Sequence, residues 1–153
     1  MIIIQDTREK IPWNFVEFPE CTGQIRQTVS AGDYILSGHE TLITIDRKKR
    51  PAELANNLGM YQDRFERELQ RMQDFTYRYV LCEFSYEKLL MFPKGSGLPR
   101  RVTKRIRAKG KFLVTQVARL SEEYDVEFVF CQDRAEAQDQ AIQLFKEALE
   151  DAN

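Results

Sequence analysis

The sequence predicts an α/β domain, a mixed sheet with helices packed on its faces. Three observations carry that prediction. Short aliphatic and β-branched runs, "MIIIQ", "TLITID", "YRYVLCEF" and "VEFVF", read as strands. Longer stretches repeat apolar residues at helical spacing. Strands come first, and helices then alternate with strands. A length of 153 residues suits one domain, spanning 1–153, with a core of real size.

The elements follow in order. "MIIIQ" has the continuous apolar character of a central strand, and "DTREKIPWNF" breaks it with Pro12. "IRQTVSAGDYIL" reads as strand, tight turn at Ala31-Gly32, and strand. "TLITID" is the next strand, close enough to form a hairpin with the one before. Its side chains alternate, so Leu42, Thr44, Asp46 and Lys48 share one face while Ile43, Ile45 and Arg47 share the other. Pro51 suits the first turn of a helix. Leu54, Leu58, Tyr61, Phe65, Leu69 and Met72 then predict one amphipathic helix over "PAELANNLGMYQDRFERELQRMQ", with Gln62, Arg64, Arg67 and Arg71 on its polar face. "SYEKLL" is a short helix, "PKGSGLP" a loop, and "RRVTKRIRAKGK" a basic segment, helical in part. "FLVTQVARLSEEY" and "DRAEAQDQAIQLFKEALED" are helices flanking the strand "VEFVF". Asp133 and Glu136 predict a capping box at the last of them.

Composition narrows the class. Hydrophobic residues make up 42% and charged residues 31%, an ordinary globular balance. No apolar run reaches the roughly 18 residues of a membrane span, and "MIII" is too short for a signal core. The three cysteines, Cys21, Cys82 and Cys131, are unevenly spaced and include no CxxC pair, which predicts free thiols in a reducing cytoplasm. The lone His39 sits in the turn-like "SGHE" and is expected at the surface. Trp13 and Phe15 are expected in the core. Net charge is −1, but the charge is unevenly spread. Lys94, Arg100, Arg101, Lys104, Arg105, Arg107, Lys109 and Lys111 follow one another with no acid among them. Such a run neutralises a phosphate backbone without reading sequence.

The chemistry concentrates at strand ends. Asp33 follows Gly32, and Asp46 and Lys48 lie at the end of the next strand. Two carboxylates converging from neighbouring strands form a hard oxygen site suited to Mg²⁺ or Mn²⁺. A lysine beside them can position water or offset charge on a phosphoryl group. Read by themselves, the same residues also describe a solvated strand end with a surface ion pair.

"GDY", a strand, and then "DRK" resemble the core of the XPF-type (XPF/Mus-like) structure-specific endonucleases of the PD-(D/E)xK superfamily. That family carries Gly-Asp, a spacer, Glu-Arg-Lys and a further acid; here these are Gly32-Asp33, Asp46-Arg47-Lys48 and Glu53. "IIIQDTRE" is similar to the family's opening strand, with Asp6, Arg8 and Glu9, and "QDRFERELQRM" to its next helix, where Arg64 matches an arginine facing the site. The resemblance runs along nearly the whole chain, with residues 92–110 the least familiar part. Two departures stand out. Asp46 replaces the usual Glu, and Glu53 falls one residue later than the family's acid.

The resemblance implies a restriction-endonuclease-like mixed central sheet flanked by helices. It implies an Mg²⁺- or Mn²⁺-dependent DNA endonuclease acting on branched or junction-containing DNA. The expected catalytic residues are Asp33, Asp46, Arg47 and Lys48, and the expected metal ligands Asp33, Asp46, Asp6 and Glu9. DNA contacts are expected from Arg64, Arg67, Lys94, Arg100, Arg101, Lys104, Arg105 and Arg107. It further implies a homodimer or a targeting partner, no membrane association, a cytoplasmic or nucleoid setting, and a likeness to small stand-alone versions from phages or mobile elements. The competing expectation is an inactive DNA-binding scaffold that keeps the fold.

Overall fold

A computed structural model describes residues 1–153. Six strands form one mixed sheet: β1 (Ile2–Gln5), β2 (Gly23–Arg26), β3 (Tyr34–Leu36), β4 (His39–Lys48), β5 (Tyr77–Cys82) and β6 (Glu127–Phe130). Their spatial order is β2-β1-β3-β4-β5-β6. The β1–β3 and β3–β4 pairs are antiparallel; β1–β2, β4–β5 and β5–β6 are parallel. The helices are α1 (Pro51–Leu58), α2 (Gln62–Arg71), α3 (Tyr86–Leu90), α4 (Arg100–Thr103), α5 (Gly110–Tyr124) and α6 (Arg134–Ala152), with a 3-10 turn at Met72–Asp74.

The sheet separates two apolar cores. On one face Leu54, Leu58, Phe65, Leu69, Leu113, Val117 and Leu120 pack from α1, α2 and α5 onto Ile4, Ile35, Val80 and Cys82. On the other, Trp13, Phe15 and the α6 residues Ala137, Ala141, Ile142, Phe145 and Ala148 cover Ile3, Tyr34, Ile43, Ile45 and Leu81. Trp13 stacks on Tyr34 with ring centroids 4.8 Å apart, so the segment after β1 is core, as expected of Trp13 and Phe15. This sandwiching explains why the middle strands read as unbroken apolar runs.

Several expectations needed revision. β2 starts at Gly23 and ends at Arg26, pairs in parallel with β1, and forms no hairpin with β3. The β3–β4 hairpin does form, through Ser37-Gly38. The single long helix from Pro51 is two helices. Gly59 ends the first, its N–H donating to Ala55 O at 3.0 Å, and Tyr61 N–H reaches back to Asn56 O at 2.9 Å. Apolar spacing is the same on both sides of the break, which hid it. The α6 cap formed as expected: Asp133 Oδ1 accepts from Glu136 N–H at 2.9 Å, and Glu136 Oε2 accepts from Gln132 N–H at 3.1 Å. The apolar face of α6 is spent on its own sheet. His39 is exposed, and all three cysteines are free, Cys82 and Cys131 buried and Cys21 partly exposed. No helix is long and apolar enough to cross a membrane.

Candidate active site

β4 is buried on both faces to its last residue, so "DRK" does not surface where the charges begin: Asp46, Arg47 and Lys48 are all buried. Each charge therefore needs a local partner. Strand alternation sends them to opposite sides of the sheet.

Asp46 and Lys48 face the α1–α2 side. Lys48 Nζ lies 3.0 Å from Asp46 Oδ2 and 5.0 Å from the centre of the Phe65 ring. The approach to Asp46 has ion-pair distance but not hydrogen-bond direction, and Asp46 Oδ2 is left buried without a hydrogen-bond donor. Glu53, in the first turn of α1, is 4.0 Å from Lys48 Nζ and accepts Lys49 N–H at 3.1 Å. Burial raises the Asp46 carboxyl above the usual range and outweighs the Lys48 ammonium beside it. Burial works against the charge of Lys48 too, but Asp46, Glu53 and Asp33 outweigh it and keep the ammonium protonated.

Asp33 enters from the start of β3. Its N–H donates to Ile45 O at 2.8 Å, and its Oδ2 accepts Arg47 N–H at 2.7 Å. Although Asp33 keeps some contact with solvent, its carboxyl lies deep among neighbouring atoms. Burial first, and the Asp46 charge second, push it well above the ordinary carboxyl range, against the opposing pull of the Arg47 N–H. Gly32 makes this entry possible. Its φ is +77°, and a Cβ there would stand 2.1 Å from Thr44 Oγ1. Gly32 N–H donates to Glu68 Oε1 at 2.6 Å, tying the loop to α2.

Arg47, expected as catalytic, turns its side chain to the opposite face of the sheet. Its Nη2 is 2.8 Å from Glu83 Oε1, its Nη1 donates to Ile11 O, and its guanidinium lies 4.8 Å from the centre of the Trp13 ring. With the side chain 1% exposed, these contacts use it up. Only its main-chain N–H reaches the site. Glu9, expected as a ligand, faces this second cluster, with Oε1 3.1 Å from Lys49 Nζ and Oε2 3.8 Å from Arg47 Nη1; its Oε2 is also buried without a hydrogen-bond donor, and its charge acts on Asp33. Asp6 holds loops: Oδ2 accepts Arg8 Nε–H at 2.7 Å, and Oδ1 accepts Val29 N–H at 3.1 Å. These donors together outweigh its burial and lower its pKa. Both oxygens are occupied, unlike those of Asp46.

Arg64 and Arg67 are exposed, make no ion pair, and stand three residues apart on α2. Arg64 is one turn before Glu68, on the side that touches the Gly32 loop. Arg67 turns outward beside Asp63, Glu66 and Tyr124. Lys94, Arg100, Arg101, Lys104, Arg105 and Arg107 are all exposed on the segment between α3 and α5, which packs on the end of α1. Two acids went unread in the sequence. Glu83 shows the same signal as "DRK", a charge directly after a buried run; Glu68 had no signal, because only the fold brings α2 to Gly32.

Nowhere do three His, Cys, Asp or Glu side chains gather at metal-ligating separation. Asp33 and Asp46 converge as a pair, with Lys48 beside Asp46. No family model matches the chain, and no curated protein is similar to it in sequence. Solved structures are similar in fold. XPF from Aeropyrum pernix superposes with a TM-score of 0.64 at 18% identity, covering 94% of this chain and 64% of that one. XPF from Aeropyrum pernix in complex with DNA gives 0.63 at 16% identity, covering 97% and 65%. The chain thus spans less than two thirds of either matched chain, and its six-stranded mixed sheet with flanking helices is similar in fold to XPF.

Proposed function

We propose that the chain is a metal-dependent endonuclease that hydrolyses DNA phosphodiester bonds at branched or single-strand/double-strand junctions. The observation that carries this reading is the Asp46 carboxylate, buried at a strand end with Oδ2 lacking a donor, beside Asp33 and Lys48 in an XPF-like fold. A buried acceptor without a donor is costly and needs a reason. Two carboxylates suffice for Mg²⁺ or Mn²⁺, since such ions are held by one or two carboxylates together with waters and substrate phosphate. The donor set fits: the carboxylates offer hard oxygens, no imidazole is near, and the one neighbouring sulfur, Cys82 beside Lys48, is kept a neutral thiol by burial.

Asp33 and Asp46 would hold the ion. When bound, it supplies Lewis-acid polarisation of the phosphoryl group and a more acidic water. Lys48 stays charged because Asp46 is beside it, so it can hold a water or a phosphate oxygen at a fixed point and offset negative charge there. Arg64 and the 94–111 cations are exposed and would hold a phosphate backbone. Arg47 acts from behind. Its main-chain N–H fixes Asp33, and its clamped side chain fixes β4.

The second reading, an inactive DNA-binding scaffold, draws on the Lys48–Asp46 ion pair, which partly satisfies Asp46 without any ion. One experiment separates the two: labelled single-stranded, duplex, flap, fork and four-way substrates, each with Mg²⁺, Mn²⁺ or EDTA, for the wild type and Asp46→Ala. Metal-dependent cuts lost in the variant support the nuclease. Binding with no cut under any condition supports the scaffold.

A further inference from the structure

Away from Asp33 and Asp46, a groove of about 970 Å³ runs between the end of α1 and the segment through α4 to the start of α5. Its wall includes Met60, Ile106 and Phe112. Met60 is 83% and Phe112 43% exposed, far more than packing alone leaves on residues of this type. Around this apolar wall stand Arg101, Arg105 and Arg107, none of them in an ion pair. The groove is built rather than incidental. Gly110 N–H closes the segment onto Phe92 O at 2.9 Å, and a Cβ on Gly110 would stand 1.6 Å from Leu90 O. Gly59 does the same at the α1 end, where a Cβ would meet Ala108 Cβ at 3.2 Å.

We infer that this groove holds unpaired bases of a DNA single strand whose backbone phosphate lies at Asp33 and Asp46. The inference rests on the nuclease reading and names the part of the substrate the enzyme grips. Three features favour bases. The cations that line the groove are all arginines, while Lys94, Lys104, Lys109 and Lys111 of the same segment stay outside it. Planar guanidinium groups stack on bases and pair with phosphates, which ammonium groups do less well. Phe112 and Met60 offer apolar and aromatic surface to a base face, and Asn56 offers an amide. The third feature is position. α1 begins beside Lys48 and ends at the groove, a span of about 12 Å for its eight residues. A strand with its phosphate at the site therefore reaches the groove within a few nucleotides, fewer where its bases are unstacked. The charge of the rim also complements a polyanion, with no acid between Lys94 and Lys111.

The test uses binding, so it does not depend on cleavage. Phe112→Trp adds a reporter in the groove, while the native Trp13 is fully buried elsewhere. Oligo-dT should quench the new tryptophan, and a blunt duplex of equal length should not. Phe112→Ala should lower affinity for oligo-dT roughly ten- to hundredfold with an unchanged salt slope. Arg101→Ala and Arg105→Ala should flatten that slope. An abasic scan of a flap substrate should show one weak window within a few nucleotides of the cut, on the unpaired strand. Equal affinity of Phe112→Ala and wild type for oligo-dT overturns the proposal, as does quenching by an acidic amphipathic peptide and not by DNA. Oligo-dT binding that responds to Phe112 in a protein that never cuts keeps the groove and removes the nuclease reading instead.

Discussion

Asp33 Oδ2 accepts the main-chain N–H of Arg47 at 2.7 Å, standing in for a backbone carbonyl where the β3–β4 ladder stops. One bond thus couples the carboxylate entering from β3 to the strand that carries Asp46 and Lys48. Asp33 also sets β4 in register, with its own N–H on Ile45 O.

An amide at position 33 keeps that acceptor and loses the charge. Asp33→Asn should abolish cleavage and yet stabilise the fold, because a buried carboxylate beside Asp46 is a strained arrangement. The sign follows from its raised folded pKa: the folded protein holds a proton that the unfolded chain releases, so stability falls as pH rises from about 4 through the raised value. The gain from Asn should be absent below about pH 4 and present at pH 8, where a rise of about 2–4 °C in Tm marks about 1 kcal/mol. Differential scanning fluorimetry at both pH values checks it. A lower Tm for the variant at pH 8 contradicts the account.

The same protons compete with the metal. Asp33 and Asp46 both hold protons to higher pH than free carboxyls, so Mn²⁺ affinity should climb with pH well above about 4, the ordinary carboxyl value. Isothermal titration from pH 5 to 8 reads this directly. Affinity flat across that range counts against ligation by this pair.

Arg47 is a structural clamp. Arg47→Ala strands the buried Glu83 carboxylate and opens a space under Trp13, and should cost about 3–5 kcal/mol in urea unfolding. Turnover per folded molecule should fall far less than in Lys48→Ala, which leaves the clamp intact. A tenfold larger loss of turnover in Arg47→Ala than in Lys48→Ala, measured on folded fractions, reverses the assignment.

Gly32→Ala tests the entry of Asp33. The positive φ and the clash with Thr44 Oγ1 should together cost about 1–3 kcal/mol and displace the carboxylate. Thr44→Ser keeps the Thr44 hydroxyl on Ala31 O and serves as the control with near-normal activity.

Arg64 and Arg67 should separate functionally although both are exposed on one helix. Arg64→Ala should reduce cleavage, since Arg64 is one turn before the Glu68 that holds the Gly32 loop, while Arg67→Ala should change DNA binding little, because Asp63 and Glu66 stand beside Arg67. Equal losses in both variants argue for a diffuse electrostatic effect instead.

Although the polar β2 was not legible in the sequence, the apolar strands, their alternation, and the opposite facing of Asp46 and Arg47 were. These are local consequences of backbone periodicity and of runs too apolar to lie anywhere but in a sheet. The sequence also determined the α6 cap, which needs only Asp133 and Glu136 at the right spacing. Tertiary structure alone decided the rest. It placed β2 beside β1, broke the first helix at Gly59, and gave Asp6 and Glu9 to neighbouring cations rather than to the Asp33–Asp46 pair. It also brought Glu68 to Gly32 and Glu83 to Arg47, contacts 36 residues apart. Lys48 finds Asp46 two residues back on its own strand, as alternation implies, but Arg47 and Gly32 take partners that only the fold supplies, and no spacing along the chain names those.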